Sequence, residues 1–308
     1  MKKRVLVTGG TGFIGSALCA ELSRAGYEPI VLSRRAAGGG FAGVRLLHWD
    51  AHSAEGWCGE LDGAFALINL AGENIGSGRW TARKKTAIRR SRLEAGQAVA
   101  AAFAAVKKRP RVLVQASAIG WYGDRGDEVL DEGSRPGSGY LSSIGREWEG
   151  STEVVDALDV RRVVLRTGVV LGRGGVLSRA AIPFRLFAGG VPGSGRPWVS
   201  WIHIEDVVRA IRFLLEREDA RGAYNLTAPG AVRSAEFYRA IGRALRRPVW
   251  APVPGLLLKA VFGEMARELM LSGRGYCRRG SLKPASNLNT KGSRRPWGIF
   301  SGDGSCRA

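Results

Sequence analysis

The sequence predicts an α/β protein, a Rossmann-type doubly wound parallel sheet with a smaller C-terminal lobe. Three observations predict it: short apolar, β-branched runs alternate with helical patterns, a glycine loop joins the first run to the first helix, and the alternation loosens after about residue 173. Taken in order, "RVLVTG" (4–9) reads as a buried strand and "IGSALCAELSRAG" (14–26) as a helix closed by glycine. "EPIVLSR" (28–34), "VRLLHWD" (44–50) and "FALINLAG" (65–72) read as strands, and a basic helix is expected over 80–107. A strand "RVLVQASAIG" (111–120), a helix over 140–157 and a strand "VVLRTGVVLG" (163–172) continue the series. Near-continuous apolar strands of this kind lie in parallel sheets covered by helices on both faces. Residues 1–230 are assigned to this domain, with 173–203, rich in Gly and Pro ("FAGGVPGSGRP"), contributing to the smaller lobe.

The chain has 308 residues, 45% of them apolar, which is ample for a packed core. No apolar run is long enough to span a bilayer, and "MKKRVLVTGG" lacks a cleavage pattern, so it reads as a first strand rather than a signal peptide. Cys19, Cys58, Cys277 and Cys306 are scattered, with no CxxC or Cys/His cluster. That pattern predicts reduced thiols in a cytoplasmic protein and no metal site. The net charge is +20, and residues 273–308 supply +7 of it, eight Lys/Arg against Asp303. A second basic run, "RWTARKKTAIRRSR" (79–92), reads first as a solvated helix face, with a homodimer contact as its competitor and nucleic-acid binding disfavoured.

The loop "VLVTGGTGFIG" places Gly9, Gly12 and Gly15 at GxxGxxG spacing between a strand and a helix. Gly9 permits a tight turn, Gly12 the approach of a pyrophosphate, and Gly15 close helix–strand packing, while the helix start offers free N–H groups to phosphate. In this context the pattern indicates a dinucleotide, with Gly10 and Thr11 completing the cradle. Where an NAD site carries an acid after the second strand, this chain has Ser33, Arg34 and Arg35, whose guanidinium groups suit a 2′-phosphate. The cofactor expected is NADP(H) in preference to NAD(H). Asp50 either faces the adenine or caps the next turn.

"TGGTGFIG", "NLAG", "SAIGWYG", "RTGVVLG" and "WIHIEDV" occur in the order found in extended short-chain dehydrogenases/reductases and nucleotide-sugar epimerases, which the chain resembles. "GENI", "RWTARKK", "GREWE", "GGVPGSGRPWVSWIHIED" and "PVWAPVPGLLLKAVFGEMA" resemble more specifically an atypical branch, known as epimerase family proteins and also described as cell-division inhibitors. The resemblance covers residues 1 to about 272. It implies NADP(H) binding and a small C-terminal domain from about 248. By position it implies Thr8, Gly9, Gly12, Phe13 and Ile14 around the pyrophosphate and Arg34 at the 2′ position. It also implies Leu70, Ala71 and Gly72 along the cofactor, and Thr167 and Gly168 near the nicotinamide. Two functions remain: an oxidoreductase or epimerase acting on a small carbonyl or hydroxyl substrate, and a non-catalytic NADP(H)-binding regulator, for example of cell division.

The catalytic apparatus departs from the wider superfamily, whose members present Ser/Thr, then Tyr, three residues, and Lys. Aligned on "WYG", the Ser/Thr position falls on Ala118, with Ser117 one residue earlier and on the opposite strand face. Aligned on "WE", tyrosine falls on Leu141 and lysine on Gly145; aligned on Tyr140, the lysine position is Ile144. A tyrosine without that lysine is a poor base at neutral pH. The acid–base candidates are Ser117, Tyr140 and Glu73, with Tyr122 and His203 behind them. Asp206 is expected to cap a helix, and Arg79, Trp80, Lys84 and Arg92 are candidates for an anionic substrate.

From Gly273 the sequence holds seven glycines in 36 residues with no strand or helix period, a composition of disorder. With synonymous codons, a one-base slip at the Gly273 codon reads "QRVLP", "LEAGFEF" and "EALGDLL" in order, the motifs the resemblance implies there. The tail is therefore expected to be a frameshift product, leaving the apolar face of "PGLLLKAVFGEMARELML" uncovered.

Overall fold

A computed structural model describes residues 2–34, 44–250 and 252–277. Arg35 and residues 278–308 of the tail lie outside the described residues. The N-terminal half runs β1 (Arg4–Thr8), α1 (Phe13–Arg24), β2 (Glu28–Ser33), β3 (Arg45–His48), a short α2 (Cys58–Leu61), β4 (Ala66–Asn69), α3 (Ala82–Ala105) and β5 (Val112–Ala118). Then follow β6 (Gly126–Leu130), α4 (Tyr140–Gly150), β7 (Arg161–Thr167), β8 (Val169–Leu171), α5 (Gly175–Arg185), β9 (Trp198–Val199), β10 (Trp201–His203), α6 (Ile204–Glu216) and β11 (Gly222–Leu226). The described chain closes with β12 (Val232–Arg233), α7 (Ser234–Leu245), α8 (Gly255–Phe262), α9 (Glu264–Ala266) and β13 (Arg274–Cys277).

Seven strands form one sheet in the order β11-β7-β5-β4-β1-β2-β3, every neighbouring pair parallel. The pleat sorts β1 into two cores. Val5 and Val7 pack with Leu18, Leu22, Ile211 and Leu214 under α1 and α6, while Leu6 packs with Leu67, Val99 and Phe103 under α3. The chain winds outward from β1 to β3, then reverses to β4 and beyond, so the strand order switches between β1 and β4. In such sheets the crevice at the carboxyl ends of the strands flanking the switch is where ligands bind. A third core, Leu171, Leu177, Phe184, Trp201, Phe237 and Ile241, holds α5, α7 and the short strands together.

Three details differ from the sequence reading. The strand expected over 163–172 is two, β7 and β8: Gly168 N–H still donates to Leu226 O of β11 at 3.0 Å, whereas Val169 N–H donates to Ser200 O and β8 pairs with β10. The helix expected over 140–157 ends at Gly150, and a 3₁₀ turn covers Glu153–Leu158. Residues 274–277, expected to be unstructured, form β13 alongside β6. Among the described residues no helix is long and apolar enough to cross a membrane.

Candidate functional site

The glycine loop lies at the strand switch, and its glycines are fixed by space as well as conformation. Gly9 adopts φ +66°, and a methyl group there would come within 2.7 Å of Leu70 O. One on Gly15 would come within 2.3 Å of Gly9 O, so α1 can pack this close to the loop only without a side chain. Gly10 is closed by Val31 in the same way, whereas a methyl group on Gly12 meets one atom, Gly9 O at 3.2 Å. Gly12 is thus the loop position whose open side faces away from protein. It is also the N-cap of α1, with no side chain bonded to the helix amides. Thr11 is exposed, and Phe13 and Ile14 are partly buried on the first turn.

Thr8 turns its side chain into the protein. It is fully buried: its hydroxyl donates to Asn69 Oδ1 at 2.6 Å and accepts from the N–H groups of Leu70 and Ala71, each at 3.1 Å. Asn69 in turn donates to Gln115 at 2.9 Å. Thr8 therefore fixes the backbone of Leu70–Ala71, the wall opposite the glycine loop, rather than presenting its own hydroxyl. The Phe13 ring roofs the other side. It lies so close to Gly172, Gly174 and Gly175 that a methyl group on any of them would come within 3.0–3.3 Å. That contact was missed in the sequence, although the "GRGG" cluster at 172–175 signalled a close approach.

Charge gathers at the outer end of the groove. Arg34 is exposed at the end of β2. Glu73, after β4, accepts from Lys84 Nζ at 2.5 Å, and Lys84 also donates to Ser77 at 2.8 Å. The Lys84 hydrogen bond, with the charges of Lys84, Arg34 and Arg92, holds the Glu73 carboxyl below its ordinary range against partial burial. Arg92 is 9% exposed and donates to the carbonyls of Glu73 (3.1 Å) and Ile88 (3.0 Å). Its guanidinium lies 4.7 Å from the Trp148 ring and 3.2 Å from where a methyl group on Gly72 would stand. Burial pulls its pKa down to about 10. Ser33 is buried at the end of β2. Asp50 accepts from His52 N and Ser53 N, both at 2.9 Å, and so caps its own turn.

The other side of the cleft is filled. Ser117 donates to Glu149 Oε1 at 2.6 Å, and Glu149 forms a two-pronged ion pair with Arg166, both bonds 2.9 Å. Arg166 stacks 3.5 Å from the Trp121 ring and donates to the Tyr122 hydroxyl, which itself donates to Asn225 at 2.7 Å. The Glu149–Arg166 pair was missed in the sequence, where it shows only as the last glutamate of "GREWE" and the arginine before "TG". Tyr140 lies in a separate cluster. Its hydroxyl donates to Lys85 O at 2.7 Å, its ring meets Trp80 edge-on, and burial raises its pKa despite Arg92 nearby. Trp80 is a core residue. At Gly145, an aligned lysine position, a side chain would press on Trp121 Cα and Cβ at 3.2 Å; at Ile144, the other, the side chain is buried. Ser117, Tyr140 and Glu73 therefore share no hydrogen-bond network. Thr167 ends β7, and a methyl group on Gly168, which follows it, would come within 2.6 Å of Ser200 O. His203, not Asp206, is the N-cap of α6 and accepts from Glu205 N.

Next to the turn Ile119–Tyr122 a cavity of about 640 Å³ opens between the loops at Gly123–Asp124, Ser138–Gly139 and Gly193–Ser194 and the C-terminal helical segment. Gly120, Gly123, Ser138, Gly139, Lys259 and Glu268 are among its lining residues. Basic residues of α3 that the charge pattern singled out are paired, Lys85 with Glu264, Arg89 with Glu147 and Arg90 with Glu94.

Residues 5–227 match the model of the NAD dependent epimerase/dehydratase family, most of the chain. The chain belongs to that family. Among family members, an epimerase family protein of Mycobacterium bovis is 38% identical over 271 residues, 88% of each chain. Epimerase family protein YfhF of Bacillus subtilis is 37% identical, over 85% of this chain and 86% of its own. The crystal structure of human epimerase family protein SDR39U1 with NADPH superposes with a TM-score of 0.80 at 35% identity, covering 89% of this chain and 90% of the human one.

Proposed function

We propose that this family member binds NADP(H) in the groove between the glycine loop and Leu70–Ala71, and acts as an oxidoreductase or epimerase on a small carbonyl or hydroxyl substrate. The observation that carries the reading is the glycine loop at the strand switch, packed on the Leu70–Ala71 backbone. Gly9, Gly10 and Gly15 are closed by protein while Gly12 is open, and exposed Arg34 follows β2 at the sequence position where an acid would select NAD(H). The cited human relative, solved with NADPH, supports the same choice.

The bound nicotinamide would supply hydride transfer to or from a carbonyl carbon. The chain's part is to hold it. Thr8 fixes the Leu70–Ala71 wall, Phe13 and the 172–175 glycines close the side of the groove, and the cavity beside Gly120 offers room of the size small-molecule sites have. The proton cannot be handled by the usual dyad. Tyr140 is committed to Lys85 O with a raised pKa, and the lysine positions are closed. Acid–base groups that line the cavity are Asp124, Lys259 and Glu268.

A second reading, a non-catalytic NADP(H)-binding regulator, is favoured by that same closure. A single-turnover experiment separates the two. Protein loaded with NADPH is mixed with a panel of small aldehydes and ketones, and NADPH absorbance is followed. Oxidation with any of them supports the enzyme; a stable NADPH signal across the panel, with NADPH bound, supports the regulator.

A further inference from the structure

We propose that Lys84 is a second determinant of NADP(H) selectivity, acting with Arg34, and that Glu73 is the carboxylate that holds it in place. This rests on the cofactor reading above and assigns Glu73 a positioning role instead of a catalytic one. Lys84 stands in the first turn of α3, where the helix dipole disfavours a cation, and no acidic residue occupies that turn. Its side chain is nonetheless largely buried, 17% exposed, and its ammonium donates to Glu73 at 2.5 Å and to Ser77 at 2.8 Å. Glu73 is pinned too, its N–H donating to Ser91 at 2.9 Å. A lysine held rigidly against a helix dipole marks a place where positive potential is kept rather than avoided.

The charge count fits the ligand. Lys84, Arg34 and Arg92 surround Glu73 closely enough to bear on its ionisation, three cations to one carboxylate, a surplus of +2. A phosphomonoester carries roughly −1.5 to −2 at neutral pH. The 2′-phosphate of NADP(H) therefore neutralises the surplus, whereas the 2′-hydroxyl of NAD(H) leaves it uncompensated. Arg92, engaged with two carbonyls and the Trp148 ring, is fixed in the wall behind Gly72, and Lys84 is held on Glu73, the residue that follows Gly72.

The test is a pair of fluorescence titrations, NADPH and NADH, on wild type, Lys84→Ala, Lys84→Arg and, as a charge control on the exposed face of α3, Arg90→Ala, each shown folded by circular dichroism. Lys84→Ala is expected to weaken NADPH about tenfold and NADH less than about twofold. Lys84→Arg should restore most of the ratio, and Arg90→Ala should leave both affinities alone. Equal weakening of both nucleotides by Lys84→Ala, or an unchanged ratio, overturns the proposal while the cofactor reading stands. A folded wild type that binds neither nucleotide overturns both.

Discussion

At the carboxyl ends of β1 and β4 the chain presents closely packed backbone, and at the carboxyl ends of β5 and β7 it presents side chains bonded to one another. In the first region the contacts that crowd the loop are backbone to backbone, Gly9 against Leu70 and Gly15 against Gly9, and the side chains that matter stand back to hold a wall. In the second, Ser117, Glu149, Arg166, Tyr122 and Asn225 satisfy one another, and Trp121 occupies the space beside Gly145. The difference teaches that the fold's binding half and its acid–base half are separable. The glycine loop keeps its close backbone packing while Ser117, a candidate of the sequence, is bonded to Glu149.

Each half can be broken alone. The largest effect is expected from Glu149→Ala, which leaves Arg166 buried without its carboxylate. About 3–5 kcal/mol of stability should be lost in urea denaturation, with NADPH affinity little changed in whatever folded protein remains. Gly15→Val forces a side chain onto Gly9 O; a loss of up to about 3 kcal/mol is expected, and with it NADPH binding, because the loop must move. Arg34→Ala sharpens the comparison within the binding half. NADPH should weaken about tenfold or more and NADH remain unchanged, measured by fluorescence titration. Tyr140→Phe gives the smallest change, about 1 kcal/mol for the lost bond to Lys85 O, and leaves any NADPH turnover intact. Abolished turnover in that variant would restore Tyr140 as the base.

The strand–glycine-loop–helix unit was legible in the sequence because its signals are local: a strand, three glycines and a helix start within residues 4–15. The alternating order of strands and helices was legible for the same reason. The filled half was not, because Ser117, Glu149 and Arg166 are brought together from three elements, and Tyr140 reveals its commitment to Lys85 only once α3 and α4 are packed. Thr8 shows the limit from the other side. Its hydroxyl serves Asn69 and the Leu70–Ala71 backbone, partners 61 to 63 residues away that leave no mark in the loop itself.

The most direct measurement is a titration of the folded wild-type chain with NADPH and with NADH, followed by nucleotide fluorescence. The account predicts saturable NADPH binding and much weaker NADH binding. Equal affinities would contradict the roles given to Arg34 and Lys84, and no binding of either by a folded chain would contradict the groove as a nucleotide site.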